Sequence, residues 1–376
     1  MVNKERMLTE FYELVKITCS SRNEREVANV LTKKLQSLGA IITEDQAGEK
    51  VGGNTGNLVA VFEGVVPEAP TVMLGAHMDC VEVCANIEPV LKDGLLTSSG
   101  NTILGSDDKS GVVGILEALR ILKEKQLAYG KIVVIFTICE EVGLLGSHYI
   151  ERELLKDIDF GYVLDSSGVP GKIINQAPGQ NKLQIIVHGR KAHAGLEPEK
   201  GINAIVVAGA ALAKVLQGRI DEETTANIGL INGGIATNIV PDEVHILAEA
   251  RSCDPKKLET QTKAMVTVFE TVAKEYGTTA DVTVLEQYKP IKLPETAPVI
   301  AIAKDAAAKL GLPVAVVPTG GGSDANRFNL YGVPTAVLAT GMTNAHTVNE
   351  CMKEEHLYQC GEWVLEIVRK ASEQKK

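Results

Sequence analysis

No apolar stretch in this sequence is long enough to cross a bilayer. The longest candidates, Ile132–Cys139 and Ala204–Ala213, fall well short of the ~20 residues that a spanning helix needs. The opening residues, Met1-Val2-Asn3-Lys4-Glu5-Arg6, run straight into charge without an apolar h-region, so no secretory leader is expected. Positive charge is in deficit: 38 Lys and Arg stand against 48 Asp and Glu, a formal net charge of −10. That balance argues against nucleic acid and against anionic membrane surfaces as partners. Paired cysteines are missing too. The seven are scattered at Cys19, Cys80, Cys84, Cys139, Cys253, Cys351 and Cys360, with no C-x-x-C pair. Such a set reads as reduced thiols in a cytoplasmic protein. Cys80 and Cys84 lack the second close pair that a structural zinc site usually shows. No internal repeat or low-complexity tract is evident.

What is present is an ordinary globular composition, 45% hydrophobic and 23% charged over 376 residues. The length suggests about two to three domains. It allows a core that needs neither disulfide nor metal merely to fold. Two amphipathic helices open the chain, Lys4–Ile17 and Glu24–Leu38, with Ser21-x-x-Glu24 as a capping box and Gly39 as a stop. Short β-rich runs follow at Leu58–Phe62, Thr71–Ala76, Ile132–Ile138 and Tyr162–Leu164, with a helix over Lys109–Lys125. This alternation predicts an α/β fold, a mostly parallel or mixed sheet with helices on both faces. The pattern then changes. Strand Lys182–His188, helix Ile202–Leu216, strands Thr225–Ile231 and Glu243–Ala250, helix Pro255–Tyr276 and strand Asp281–Gln287 follow one another. That β-α-β-β-α-β order is ferredoxin-like. Helix Ala297–Leu310, strands Val314–Val317 and Thr335–Ala339, and helix Glu354–Ser372 resume the first pattern. The reading is a discontinuous catalytic domain, 1–176 and 289–376, with an inserted domain at 177–288.

Several apolar runs end in residues with metal-binding chemistry. One leads to His77-Met78-Asp79, another to Cys139-Glu140-Glu141, a third to Asp165, and a fourth, after a short loop, to His346. Asp107-Asp108 precede a helix. Open α/β sheets carry their sites outside the carboxyl ends of the strands. Residues two apart in extended chain point the same way, so His77 and Asp79 can face one site, one as ligand and one orienting the ring. Glu140 and Glu141 are adjacent and diverge, so one can bind metal while the other acts as a general base. Two His with several carboxylates suit Zn²⁺ or Mn²⁺. Each residue has a plainer reading alone. Asp107 or Asp108 can cap a helix, Asp165 can be a turn residue, and the glutamates can be solvated loop charges. Their joint position on one sheet edge favours a metallohydrolase.

These motifs, in this order, resemble the M20 family of dinuclear-metal peptidases and amidohydrolases. Beyond them, Ala192-His193-Ala194-Gly195, Thr237-Asn238-Ile239-Val240-Pro241 and Gly320-Gly321-Gly322-Ser323-Asp324-Ala325 match as well. Asp107-Asp108-Lys109-Ser110-Gly111 and the run His193–Gly201 look most like the tripeptide aminopeptidase (peptidase T) branch. The resemblance implies two divalent ions, zinc first, with manganese or cobalt as alternatives. It implies His77, Asp107, Glu141, Asp165 and His346 as ligands, Asp107 bridging and Asp108 only a helix-entry residue. Asp79 would orient His77. Glu140 would be the general base for a metal-bridging water. His193, Asn238, Arg251, Gly321 and Gly322 would bind substrate. Cys80 stands where such chains usually have Thr, read as a packing variation. The implied activity is removal of the N-terminal residue of short peptides. The alternatives are an amidohydrolase acting on N-acyl amino acids and a non-catalytic scaffold of the same fold. The inserted domain is expected to act as a lid and to form a homodimer.

Overall fold

The computed structural model describes residues 1–375, which fall into two compact units. The first comprises Met1–Asn175, Leu293–Pro318 and the described residues from Ser323 on, and the second Gln176–Lys292 and Thr319–Gly322.

The first unit is built on a mixed sheet. From one edge its strands are Ile41–Glu44, Leu58–Phe62, Ile132–Thr137, Val72–His77, Phe160–Ser166 and Thr335–Ala339, with Lys172–Ala177 beside the last. Ile132–Thr137, Val72–His77, Phe160–Ser166 and Thr335–Ala339 run parallel. Every residue of Val72–His77, Ile132–Thr137 and Thr335–Ala339 is buried. Runs such as Ile-Val-Val-Ile-Phe-Thr show no polar alternation because both faces of a parallel sheet are covered. The covering helices include Ser106–Glu124, which packs on Glu354–Ser372, which packs in turn on Pro298–Lys309. The single tryptophan, Trp363, is buried in this layer, and its indole N–H donates to the Ala303 carbonyl at 3.0 Å. The register places His77 opposite Thr137 and Ala339 opposite Ser166, so the four parallel strands finish on one edge.

Some local readings need correction. Ser21-x-x-Glu24 forms no capping box: the helix is Arg25–Leu38, and Glu24 makes no side-chain cap bond. Both side chains are committed to distant partners instead. Gly39 does end that helix, at φ 99°. A small antiparallel sheet, Met342–Thr343, Cys351–Lys353, Leu95–Ser98 and Pro89–Lys92, has no counterpart in the sequence reading. Strands of two to four residues are too short to show a period.

The second unit orders Gly179–His188, Ala204–Leu212, Thr224–Gly233, Glu243–Ser252, Pro255–Glu275 and Ala280–Tyr288 along the chain. Its sheet runs Thr224–Gly233, Glu243–Ser252, Gly179–His188, Ala280–Tyr288, all antiparallel, which is the ferredoxin-like arrangement. Its own core gathers Leu183, Ile185, Val187, Ala208, Met265 and Phe269. The Ala-rich helix is shorter than Ile202–Leu216. The Asn203 side chain accepts from the N–H groups of Ile205 and Val206 and starts it two residues in.

Leu74 lies in the middle of Val72–His77 with no exposure. Leu74→Ala should cost about 2–5 kcal/mol, read as a lower urea midpoint at unchanged slope. A loss under about 1 kcal/mol would show that this strand is not the rigid centre of the unit.

Candidate metal centre

His77 is the last residue of its strand and Asp165 the last but one of Phe160–Ser166. Glu140 and Glu141 follow Ile132–Thr137 through a turn in which Cys139 takes φ 52°. His346, at φ 65°, lies in the loop between Met342–Thr343 and Cys351–Lys353, so the small sheet holds it at the same edge. Asp107 and Asp108 enter Ser106–Glu124 with non-helical backbone and a cis peptide between them. Asp108 does more than open a helix: its carboxylate accepts the backbone N–H of His77 at 3.2 Å.

The side chains converge. His77 Nε2 lies 3.0 Å from one oxygen of Asp107 and 3.9 Å from an oxygen of Asp165. The other Asp107 oxygen lies 3.2 Å from His346 Nε2, which is 2.9 Å from Glu141. Asp107 therefore stands between two imidazoles, one oxygen toward each. His77, Glu140 and Asp165 form one group of donor atoms lying within 4.8 Å of one another, and His77, Asp107 and Glu141 form a second. The close partner of His77 Nδ1 is the Asp79 carbonyl at 2.9 Å, with the Asp79 carboxylate at 3.5 Å. That carboxylate is engaged by the Ser21 hydroxyl at 2.6 Å and by the N–H groups of Glu140 and Glu141 at 3.0 and 3.3 Å. Asp79 thus fixes the His77 ring and the Glu140-Glu141 turn together.

The electrostatics follow from crowding. Burial, and then the charge of Asp165, pushes Glu140 well above the usual carboxylate range. Burial and Asp107 do the same to Asp165. Burial also raises Asp108, Glu141 and Asp324. Asp107 moves the other way: burial opposes ionisation, but His346 and His77 hold it below its ordinary value. Asp107 and Glu141 push His346 up to about 10. Burial pulls His77 down, yet Asp107 and Asp79 hold it well above its normal value. Two buried oxygens, Glu141 Oε1 and Asp108 Oδ1, have no hydrogen-bond partner. Acids this close cannot all ionise without countercharge. Two imidazoles and several carboxylates, with no thiolate among them, fit divalent cations such as zinc or manganese.

Other supports were not visible as chemistry in the sequence. Glu24 accepts the Cys139 N–H at 3.0 Å, fixing the turn before Glu140. Asp324, marked only by its glycine-rich run, accepts the hydroxyls of Thr137 and Ser147. Lys109 is fully buried and donates to the Met78 carbonyl at 2.6 Å and to Cys80 Sγ at 3.3 Å. Cys80 is therefore a polar partner as well as a packing residue.

In the second unit the structure brings His193 and Asn238 together: Ala194 N–H donates to the Asn238 carbonyl at 3.0 Å. His193 is exposed, and its Nδ1 accepts the N–H groups of Gly195 and Leu196 at 3.1 and 3.2 Å. An accepting Nδ1 places the ring proton on Nε2. Arg251 is held through Nε and Nη2 by Glu249. At Gly322 a Cβ would come within 2.4 Å of the Tyr288 ring, whereas Gly321 has open space.

The family model for Peptidase family M20/M25/M40 matches residues 73–370. A Bacillus subtilis (strain 168) protein named only as uncharacterized YqjE is 44% identical over 372 residues, 99% of this chain and 100% of that one. Peptidase T of Clostridium novyi (strain NT) is 29% identical over 288 residues, 74% of this chain and 70% of that one. Among solved structures, the aminopeptidase PepT from Bacillus cereus ATCC 10987 has a TM-score of 0.90 at 43% identity, covering 98% of this chain and 99% of that one. A tripeptidase from Staphylococcus aureus subsp. aureus mu50 has a TM-score of 0.95 at 40% identity, covering 100% of both chains.

Metal uptake should release protons. In the absence of a cation, Asp107 and Glu141 hold His346 at about 10, His77 is held well above its ordinary value, and burial raises Asp165 above the usual carboxylate range. Ligation requires these groups deprotonated. Zinc titrated into chelator-stripped protein near pH 7.5 should give an enthalpy that varies with the ionisation enthalpy of the buffer. A buffer-independent enthalpy would contradict this electrostatic picture.

Proposed function

The chain belongs to peptidase family M20/M25/M40, and from that premise we propose a metal-dependent aminopeptidase that removes the N-terminal residue of short peptides, tripeptides foremost. The observation that carries the reading is Asp107, with one oxygen on His77 and the other on His346. A shared carboxylate is what a two-ion hydrolase requires. The likeness to an aminopeptidase PepT and to a tripeptidase over nearly the whole chain supports the substrate class.

His77, Asp107 and Asp165 would hold one ion, and Asp107, Glu141 and His346 the other, with zinc preferred and manganese or cobalt as alternatives. Such ions supply Lewis-acid polarisation of the scissile carbonyl and lower the pKa of bound water. The remaining work falls to the chain's own groups. Glu140 is the general base: it takes a proton from the attacking water and hands it to the leaving amine. Its raised proton affinity suits both transfers. Asp79 positions His77 and the backbone of Glu140. His193, with its proton on Nε2, would serve as a substrate-binding donor. Asn238 contacts the peptide beside it, and Arg251, set by Glu249, binds the terminal carboxylate. Gly321, with open space at its Cβ position, would give the peptide backbone close approach, and Gly322 beside it packs against Tyr288.

A homodimer built through the second unit belongs to the same reading. Ile205 and Val206 on Ala204–Leu212, and Leu230 and Ile231 on Thr224–Gly233, are exposed apolar side chains. Beyond Ala226, that strand is paired along one side only among the described residues. Unpaired edges and apolar faces favour self-association. Light scattering at micromolar concentration should give twice the chain mass; a fully active monomer would remove the dimer.

Glu140→Gln should lower kcat by at least ~10²-fold while metal content stays near wild type. Glu141→Gln should instead lose metal. The reverse pattern would exchange the two assignments. On a panel of di-, tri- and N-acylated peptides read by mass spectrometry, free-amine tripeptides should turn over fastest. Turnover of N-acyl amino acids alone would make the protein a deacylase.

A further inference from the structure

Glu350 is 2% exposed and follows His346 by four residues. Its carboxylate collects four hydrogen bonds, all from the stretch that leads into Asp107. One oxygen accepts the backbone N–H groups of Leu104 and Gly105 at 2.8 and 2.9 Å. The other accepts the Ser106 hydroxyl at 2.5 Å and the Asp107 N–H at 3.1 Å. The first amides of a helix lack intrahelical acceptors, and a local Ser, Thr, Asn or Asp ordinarily serves them. Here the acceptor comes from 243 residues away, measured to Asp107.

The same residue also ties the other loop. Glu350 N–H donates to the Thr347 carbonyl at 3.0 Å, closing the turn Thr347–Glu350 that directly follows His346. Its side chain thus grips the backbone of Asp107 while its main chain closes the turn next to His346. A second, weaker tie runs in parallel: the Ser110 hydroxyl bonds the Ser106 carbonyl at 2.7 Å and lies 2.9 Å from the Thr340 hydroxyl.

We infer that Glu350 is a positioning residue for the metal centre, setting the distance and angle between Asp107 and His346. The inference rests on the two-ion reading. Its consequence is unequal. The ion assigned to Asp107, Glu141 and His346 has two ligands on backbone that Glu350 fixes. The ion assigned to His77, Asp107 and Asp165 has two ligands at the ends of buried central strands. Loss of Glu350 should therefore weaken the first of these ions far more than the second. Partners behind the ligands commonly tune metal affinity by about 10- to 100-fold.

The test is competitive zinc titration of chelator-stripped full-length protein against a chromophoric chelator, with occupancy checked by elemental analysis. Glu350→Gln keeps the volume but turns an NH2 toward N–H and O–H donors. It should bind one ion as wild type does and the other about 10- to 100-fold more weakly, with activity recovering at high metal. Ser106→Ala removes one of the four bonds and should show a smaller loss of the same ion. Glu350→Asp, which keeps the charge, should fall between wild type and Glu350→Gln. If Glu350→Gln does not fold, Ser106→Ala and Glu350→Asp carry the comparison alone. Wild-type affinity for both ions in the folded variants would overturn the inference. So would equal loss of both ions with a lowered melting temperature of the metal-free protein, which marks general structural damage. A wild-type stoichiometry of one ion would remove the two-ion reading and this inference with it, whatever the variants do.

Discussion

Acids packed close together at the dry edge of a sheet repel one another, and much of the first unit can be understood as an answer to that repulsion. The parallel strands are buried on both faces, so whatever their ends carry is delivered to one place with little water. The acids then divide into two kinds. Asp79, Asp324 and Glu350 accept hydrogen bonds from N–H and O–H donors, which anchor their side chains in place. Burial and neighbouring charge govern Glu140 and Asp165 instead. The first kind builds the frame. The second is left reactive, with a strong affinity for protons or for cations.

This division explains why the supporting residues come from so many segments. Backbone N–H donors for a buried carboxylate must come from chain that is not already used in the sheet, with hydroxyls as the other source. The N–H groups that serve Asp79 belong to the turn after Ile132–Thr137, and those that serve Glu350 belong to the entry of Ser106–Glu124. Each carboxylate therefore pins a loop that carries proposed ligands at the cost of no sheet bond. Lys109 adds a buried positive charge behind the His77–Asp79 segment, with a carbonyl and the Cys80 sulfur as its acceptors. Its charge offsets part of the acidic excess from within the protein.

The central strands were legible because apolar runs without alternation have few other homes. The residues at their ends were legible because His, Asp and Glu are metal-binding types at positions where such sheets place their sites. The supports were not, and the reason is physical. Ser21 meets Asp79 across 58 residues, and Glu24 meets Cys139 across 115. Read locally, Ser21-x-x-Glu24 is a capping box, but a buried turn beside the metal centre needed both acceptor and donor more than the helix end did. Glu350 carries no local signal at all: only the fold brings it to Leu104–Asp107. The Ala-rich helix of the second unit failed in a different way. Apolar residues Ala213, Val215 and Leu216 continue past its true end, and no Gly or Pro stands there to mark the stop.

In the proposed function, the adjacent pair Glu140 and Glu141 takes two chemistries from one turn. Asp79 holds both of their amides, so the two side chains leave a fixed backbone in different directions. Glu141 reaches His346 at 2.9 Å, while Glu140 joins the group of His77 and Asp165. Proximity to a ligand group does not make Glu140 a ligand. A general base must lie within hydrogen-bond reach of the water it deprotonates, and that water has to sit among the same groups. The forces on its carboxyl point the same way. Burial and the charge of Asp165 hold Glu140 well above the carboxylate range when the centre carries no cation. Positive charge nearby favours the ionised form and would bring that value back down. A base whose proton affinity falls on metal loading and rises as negative charge gathers on the substrate can accept a proton early and release it late. The same carboxylate placed among donors, as Asp79 is, would remain ionised throughout and could do neither.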